Sequence, residues 1–138
     1  MVYVALLRGI NVGGHVVKME RLRALFAELG FANVRTYIQS GNVFFETDEE
    51  DRAALVGAIE RHLRDALGYA VPVCVRTVPE LERVLALDAF QERPATPETR
   101  LCVVFAASPI ADGLILPLWS PKRDMEIVHV TQGEAFVV

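Results

Sequence analysis

From Val2 to Leu7 every residue is apolar. Alternate side chains of a β-strand point to opposite faces, so Val2/Val4/Leu6 and Tyr3/Ala5/Leu7 both need cover. Such a strand is expected at the centre of its sheet, with material packed on each side. The chain can supply it. Its 138 residues suit one compact unit, or two small halves sharing a core, and 52% apolar against 23% charged residues is enough to offset chain entropy. Arg8 interrupts the opening run before a signal-peptide core or a membrane span forms, and no basic segment precedes it. The chain therefore reads as cytoplasmic, with no membrane association.

Beyond a Gly- and Asn-rich loop from Arg8 to Lys18, Met19, Leu22, Leu25, Phe26 and Leu29 recur at helical spacing. Gly30 is placed to end that helix in the left-handed conformation, with Phe31 folding back on the last turn. Val34 to Thr47 reads as a hairpin about Ser40-Gly41. A two-residue turn there pairs Val43 with Ile38, Phe44 with Tyr37, Phe45 with Thr36 and Glu46 with Arg35, which leaves Arg35, Tyr37, Phe44, Gln39 and Asn42 on one mixed aromatic and polar face. Thr47 to Asp51 supplies a cap and an acidic first turn to a second helix, in which Leu55, Ile59, Leu63 and Leu67 follow at steps of four before Gly68. Val71 to Arg76 is a further strand. The order strand, helix, strand, strand, helix, strand is that of a ferredoxin-like βαββαβ unit in the α+β class.

The second half is less regular. Thr77-Val78-Pro79-Glu80 fits a capping box opening a helix with Leu81, Val84 and Leu85 as its apolar stripe. Gln91 to Thr99 is linker-like, Arg100 to Ala106 is a strand, and Ser108 to Pro121 is broken by prolines and a glycine. Met125 to Val130 and Ala135 to Val138 make a hairpin around Thr131 to Glu134. The closing Phe136-Val137-Val138 is too apolar for a frayed terminus and is expected to pair with a strand of this chain or of a neighbour. The expected organisation is a ferredoxin-like half over 1–78, then a helix and an incomplete second ferredoxin-like half over 79–138.

Charge narrows the functional classes. The net charge of -4 argues against wrapping nucleic acid by bulk charge. Residues 1–42 nevertheless carry a net +3, which favours an anionic ligand in that third. There the loop Arg8-Gly9-Ile10-Asn11-Val12-Gly13-Gly14-His15 leaves a central strand and feeds a helix, the geometry in which free backbone N–H groups face an anion. It is not a Walker loop: Gly9 and Gly14 have the right separation, but His15-Val16 stands where Lys-Ser/Thr belongs. The alternative is purely structural, with the glycines allowing positive φ in a tight crossing and Arg8 pairing with a carboxylate across a half-domain interface.

Other constellations point nowhere sharper. Ser40 has no nucleophile elbow around it and no assignable His/Asp partner, so no catalytic residue is named and enzymatic activity stays open. His15, His62 and His129 are scattered singly, which supports no metal site and no cofactor. Cys74 and Cys102 lie in apolar runs and are expected to be buried free thiols. Tyr37 and Phe44 could stack the bases of single-stranded RNA, but the spaced aromatics and basic residue of that signature are missing, so nucleic acid is disfavoured.

One resemblance adds to this reading. Tyr3-Val4-Ala5-Leu6-Leu7-Arg8-Gly9-Ile10-Asn11-Val12-Gly13-Gly14, Val17-Lys18-Met19 and Val34-Arg35-Thr36-Tyr37-Ile38-Gln39-Ser40-Gly41-Asn42-Val43 closely resemble the bacterial family of domains of unknown function numbered 1697. The resemblance implies a cytosolic α+β protein of two ferredoxin-like halves with no established activity, cofactor or ligand. Its shared polar positions correspond to Arg8, Asn11, Gly13, Gly14, Gln39, Ser40, Gly41 and Asn42. It also implies a further helix, strand and basic Gly-Arg-Ser stretch beyond the last hairpin, so the second half is expected to be incomplete. The leading expectation is a small anionic ligand, such as a nucleotide, held by Arg8, Asn11, Gly13, Gly14, Gln39, Ser40 and Asn42. The alternatives are a homo-oligomer formed through a sheet edge, and single-stranded RNA bound on the sheet face.

Overall fold

The computed structural model describes residues 1–11, 14–37, 41–87, 90, 101–106, 109–110, 116 and 118–138. They fall into two compact units, Met1–Glu82 and Arg83–Val138. The first contains β1 (Val2–Leu7), α1 (Met19–Glu28), β2 (Ala32–Tyr37), β3 (Asn42–Glu46), α2 (Arg52–Leu67) and β4 (Val73–Thr77), and α3 (Val78–Ala86) opens directly from β4. The second contains β5 (Cys102–Phe105), β6 (Leu118–Trp119), β7 (Glu126–Val130) and β8 (Glu134–Val137). Each unit has one four-stranded sheet, ordered β2-β3-β1-β4 and β5-β8-β7-β6, with every pairing antiparallel.

The doubly apolar opening run is central, as its pattern demands. β1 lies between β3 and β4, and residues of both its faces are buried: Tyr3 and Ala5 on one, Val4 on the other. Tyr3 and Ala5 join Val43, Phe45, Val73 and Val75 in a cluster with Leu22, Leu25 and Phe26 of α1 and Leu55, Ile59 and Leu63 of α2. Phe45 is at its centre, with ring centroids 4.4 Å from Phe31, 5.6 Å from Phe26 and 5.8 Å from Tyr3. Burying such rings is the main source of stability in a unit of this size.

Helix termini follow local chemistry. α1 ends where Gly30 adopts φ +89°, and Phe31 returns towards Phe26 at 6.2 Å. α2 starts after the acidic run rather than within it: Asp51 is the N-cap, accepting from the Ala54 amide at 3.1 Å, and the carboxylates precede the helix. Gly68 closes it at φ +83°. The capping box at α3 forms, with the Thr77 amide donating to Glu80 Oε1 at 2.8 Å and the Glu80 amide donating to Thr77 Oγ1 at 3.3 Å. The stripe expected on α3 does not bury: Leu85 is 82% exposed, and no residue of that helix is fully buried.

Two expectations are corrected. The β2–β3 hairpin keeps the expected faces but slips by two residues, so that Thr36 opposes Val43, Tyr37 opposes Asn42 and Arg35 opposes Phe44. A slip of two preserves side-chain direction. A bulge between Ala32 and Arg35, where Asn33 has φ +50° and its side-chain amide donates to Glu46, shifts the register again, and Glu46 opposes Ala32 rather than Arg35. The expected buried thiols are not buried: Cys74 is half-buried and Cys102 exposed. β5 is an outer strand, and one of its faces is open to solvent.

In the second unit the final hairpin forms as its turn residues suggest, with Thr131 N–H donating to Glu134 O at 2.9 Å. The apolar terminus pairs within the chain. β8 lies between β5 and β7, and Val138 and Glu126 exchange backbone hydrogen bonds at 2.9 and 3.0 Å. β6 is a short strand inside the proline-broken stretch, which sequence periodicity alone does not reveal. The linker-like stretch 91–99 lies outside the described residues.

Candidate functional site

The loop after β1 and the tip of the β2–β3 connection meet. Leu7 N–H donates to Gly41 O at 3.1 Å, and Arg8 N–H donates to Pro72 O at 3.0 Å, which fixes the start of the loop against both neighbouring strands. Gly41 is buried at φ +80°. A Cβ there would stand 3.3 Å from Leu7 O, 3.5 Å from Leu7 Cβ and 3.6 Å from Ile10 Cβ. The positive φ favours glycine here, and the close approach to Leu7 leaves little room for a Cβ. Ile10, 5% exposed, anchors the loop in the core beneath this contact.

Within the loop, Gly9 and Asn11 take left-handed φ values of +75° and +58°. Asparagine tolerates this conformation because its short polar side chain bonds locally. Here Asn11 N–H donates to His15 O at 2.7 Å, and Asn11 Oδ1 accepts from the Val17 amide at 2.8 Å. Asn11 thus shapes the loop that leads into α1. The N-cap of α1 is Lys18, whose side chain makes no cap bond, so the helix begins with amides left to other acceptors.

Arg8 is exposed, and among the described residues no carboxylate lies within ion-pair distance of its guanidinium; the expected structural alternative, an Arg8–carboxylate pair, is not seen there. Gly14 is exposed with open space about its Cα, so packing does not require glycine at that position. Asn42 is half-buried opposite Tyr37. Gly13, Gln39 and Ser40 lie outside the described residues. The structure thus brings Arg8, Asn11 and the Gly41-Asn42 end of the turn to one corner of the first unit.

Two side chains join the loop without a sequence signal. The His15 ring stacks on Tyr69 with centroids 3.9 Å apart and planes 15° apart. The Tyr69 phenol oxygen is buried and has no hydrogen-bond partner among the described residues. Such an orphan oxygen is uncommon, since buried hydroxyls are nearly always satisfied. Only the close of α2 brings Tyr69 beside the loop, so linear spacing does not reveal the pair.

The strongest electrostatic feature is structural. Arg52 grips Glu80 with two hydrogen bonds of 2.7 and 3.0 Å, and Glu80 Oε1 also accepts from Thr77 N and Oγ1. Partial burial pushes the Glu80 carboxyl up, but the Arg52 hydrogen bond, the two Thr77 donors and the Arg52 charge outweigh it and hold its pKa at about 2. The same hydrogen bond raises Arg52 above its ordinary value. Among the described residues, no group of three or more His, Cys, Asp or Glu side chains is arranged to hold a metal ion, and no helix is long and apolar enough to cross a membrane.

Among the described residues the fold is a mixed α+β one with two antiparallel sheets and three helices, and the loop after β1 lies at one end of the first sheet. A family model described as "Protein of unknown function (DUF1697)" matches residues 1–136, and the chain belongs to that family. Among solved structures, the conserved bacterial protein SP0830 from Streptococcus pneumoniae is similar, with a TM-score of 0.72 and 26% sequence identity. The match covers 99% of this chain and 76% of the streptococcal one. Among curated proteins, none matches the chain.

Proposed function

We propose that this is a cytoplasmic protein that binds a small anionic ligand, such as a nucleotide, where the loop after β1 meets the turn before β3. The contact between Leu7 N–H and Gly41 O carries the reading, because it sets two polar segments side by side. Around it stand the exposed Arg8, the left-handed Asn11 and the Lys18 entry to α1, all consistent with an anion. Arg8, Asn11, Gly13, Gly14, Gln39, Ser40 and Asn42 are the proposed contacts. The same proposal takes the β2-β3-β1-β4 order as a ferredoxin-like βαββαβ half over 1–78, followed by an incomplete second half over 79–138.

The test is a thermal-shift screen of the whole chain against nucleotides and sugar phosphates, repeated with Arg8→Ala. Stabilisation by one class of phosphate, lost in the variant, is the expected result. If no phosphate raises the melting temperature, or if Arg8→Ala responds like the parent, the loop is scaffolding.

A further inference from the structure

Both ends of the loop after β1 rest on one short segment of chain. Arg8 N–H donates to Pro72 O at 3.0 Å, and the His15 ring stacks on Tyr69 with centroids 3.9 Å apart and planes 15° apart. Tyr69 and Pro72 are three residues apart, so their Cα atoms are separated by about 11 Å at most. The backbone of Arg8 and the ring of His15 are thus anchored within the reach of one nucleotide, phosphate to base. The Arg8 side chain is exposed at its end of that span.

The aromatic end is built from the inside out. Gly68 closes α2 at φ +83°, and Tyr69, the next residue, packs against the hydrophobic core. Its hydroxyl has no partner among the described residues, so there packing rather than a hydrogen bond sets the ring plane. His15 lies on that ring, and its carbonyl accepts from the Asn11 amide at 2.7 Å, which fixes the backbone that carries it. His15 is nevertheless an exposed residue: one face of its imidazole lies against Tyr69 and the other is open to water. A flat ring held from behind with one open face is a stacking platform, and stacking on aromatic rings, histidine included, is a general way of holding a nucleobase. A sugar phosphate has no π-face with which to use it. Resting on the reading that an anion binds at this loop, we propose that the ligand is a nucleotide whose phosphate faces Arg8 and whose base stacks on the open face of His15.

The test separates base from phosphate. Binding of the four nucleoside 5′-monophosphates and of ribose 5-phosphate to the whole chain is measured by calorimetry, with His15→Ala, His15→Phe and Arg8→Ala alongside. His15 is exposed, so its substitution leaves the core intact, and circular dichroism verifies the fold. At least one nucleotide is expected to bind about tenfold more tightly than ribose 5-phosphate. His15→Ala removes that margin and leaves ribose 5-phosphate binding unchanged, whereas His15→Phe keeps the margin, because the ring and not its charge makes the contact. Nucleotides that bind no more tightly than ribose 5-phosphate overturn the proposal, as does a margin that survives His15→Ala or is lost in His15→Phe. Ribose 5-phosphate binding that Arg8→Ala abolishes, with no margin for any nucleotide, overturns the stack and leaves the anion site standing. Failure of every phosphate to bind overturns both.

Discussion

Replacing Glu80 with glutamine removes one negative charge from the junction of β4, α3 and the start of α2 while keeping the side chain's size. In the folded protein the carboxylate takes two hydrogen bonds from Arg52 and two from Thr77, and its pKa falls from 4.5 to about 2. Taken whole, that shift corresponds to roughly 3 kcal/mol at about 1.4 kcal/mol per pH unit. Glu80 and Arg52 are 26% and 42% exposed at the side chain, so water screens the pair and the realised contribution is about 1–2 kcal/mol. Because the folded-state pKa lies below the unfolded one, this stabilisation is complete above about pH 4.5 and is lost as pH falls towards 2. Urea unfolding followed by helical circular dichroism, at several values between pH 7 and pH 2, measures it. Glu80→Gln is expected to be less stable than the parent by about 1–2 kcal/mol at pH 7, with the difference closing through the acid range. A difference that stays constant from pH 7 to pH 2.5, or none at neutral pH, would refute the reasoning. A double-mutant cycle with Arg52→Gln is expected to assign about 0.5–1 kcal/mol to the pair, the part that 1 M salt weakens.

Three further outcomes follow from the packing. Gly41→Ala forces a Cβ to within 3.3 Å of Leu7 O at φ +80°, and unfolding experiments are expected to show a loss of about 2 kcal/mol or more. Gly57 sits inside α2 with open space where a Cβ would go, so Gly57→Ala is expected to stabilise by about 0.5–1 kcal/mol, read as a rise in melting temperature. Phe45→Ala empties the centre of the aromatic cluster and is expected to cost about 3–5 kcal/mol, enough in a unit of this size to be seen as partial unfolding at 37 °C.

Much of the first unit was legible because its signals are local. A strand apolar on both faces requires a central position whatever surrounds it, and Val2–Leu7 takes one. Gly68 and the Thr77/Glu80 pair act within one helical turn of themselves, so chain order alone reveals them as caps, whereas the cap expected within Thr47 to Asp51 falls on Asp51 and leaves no acidic first turn. The polar loop from Arg8 to His15 stood out for the same reason, as a cluster of residues with special backbone freedom between a strand and a helix.

Tertiary structure decided the rest. The register of β2 against β3 and the contact of Gly41 with Leu7 join segments that chain order alone does not align. The same distance in sequence hid the His15–Tyr69 stack and the Arg52–Glu80 grip, while the strand Leu118–Trp119 is too short to show a periodicity. Cys102 and Leu85 carry apolar-run patterns yet are exposed, because periodicity identifies a face but not whether anything lies against it. Backbone preference and side-chain alternation are properties of neighbours along the chain and can be read there. Register, burial and the meeting of two loops are set by which surfaces find each other in three dimensions, and only the folded structure contains that.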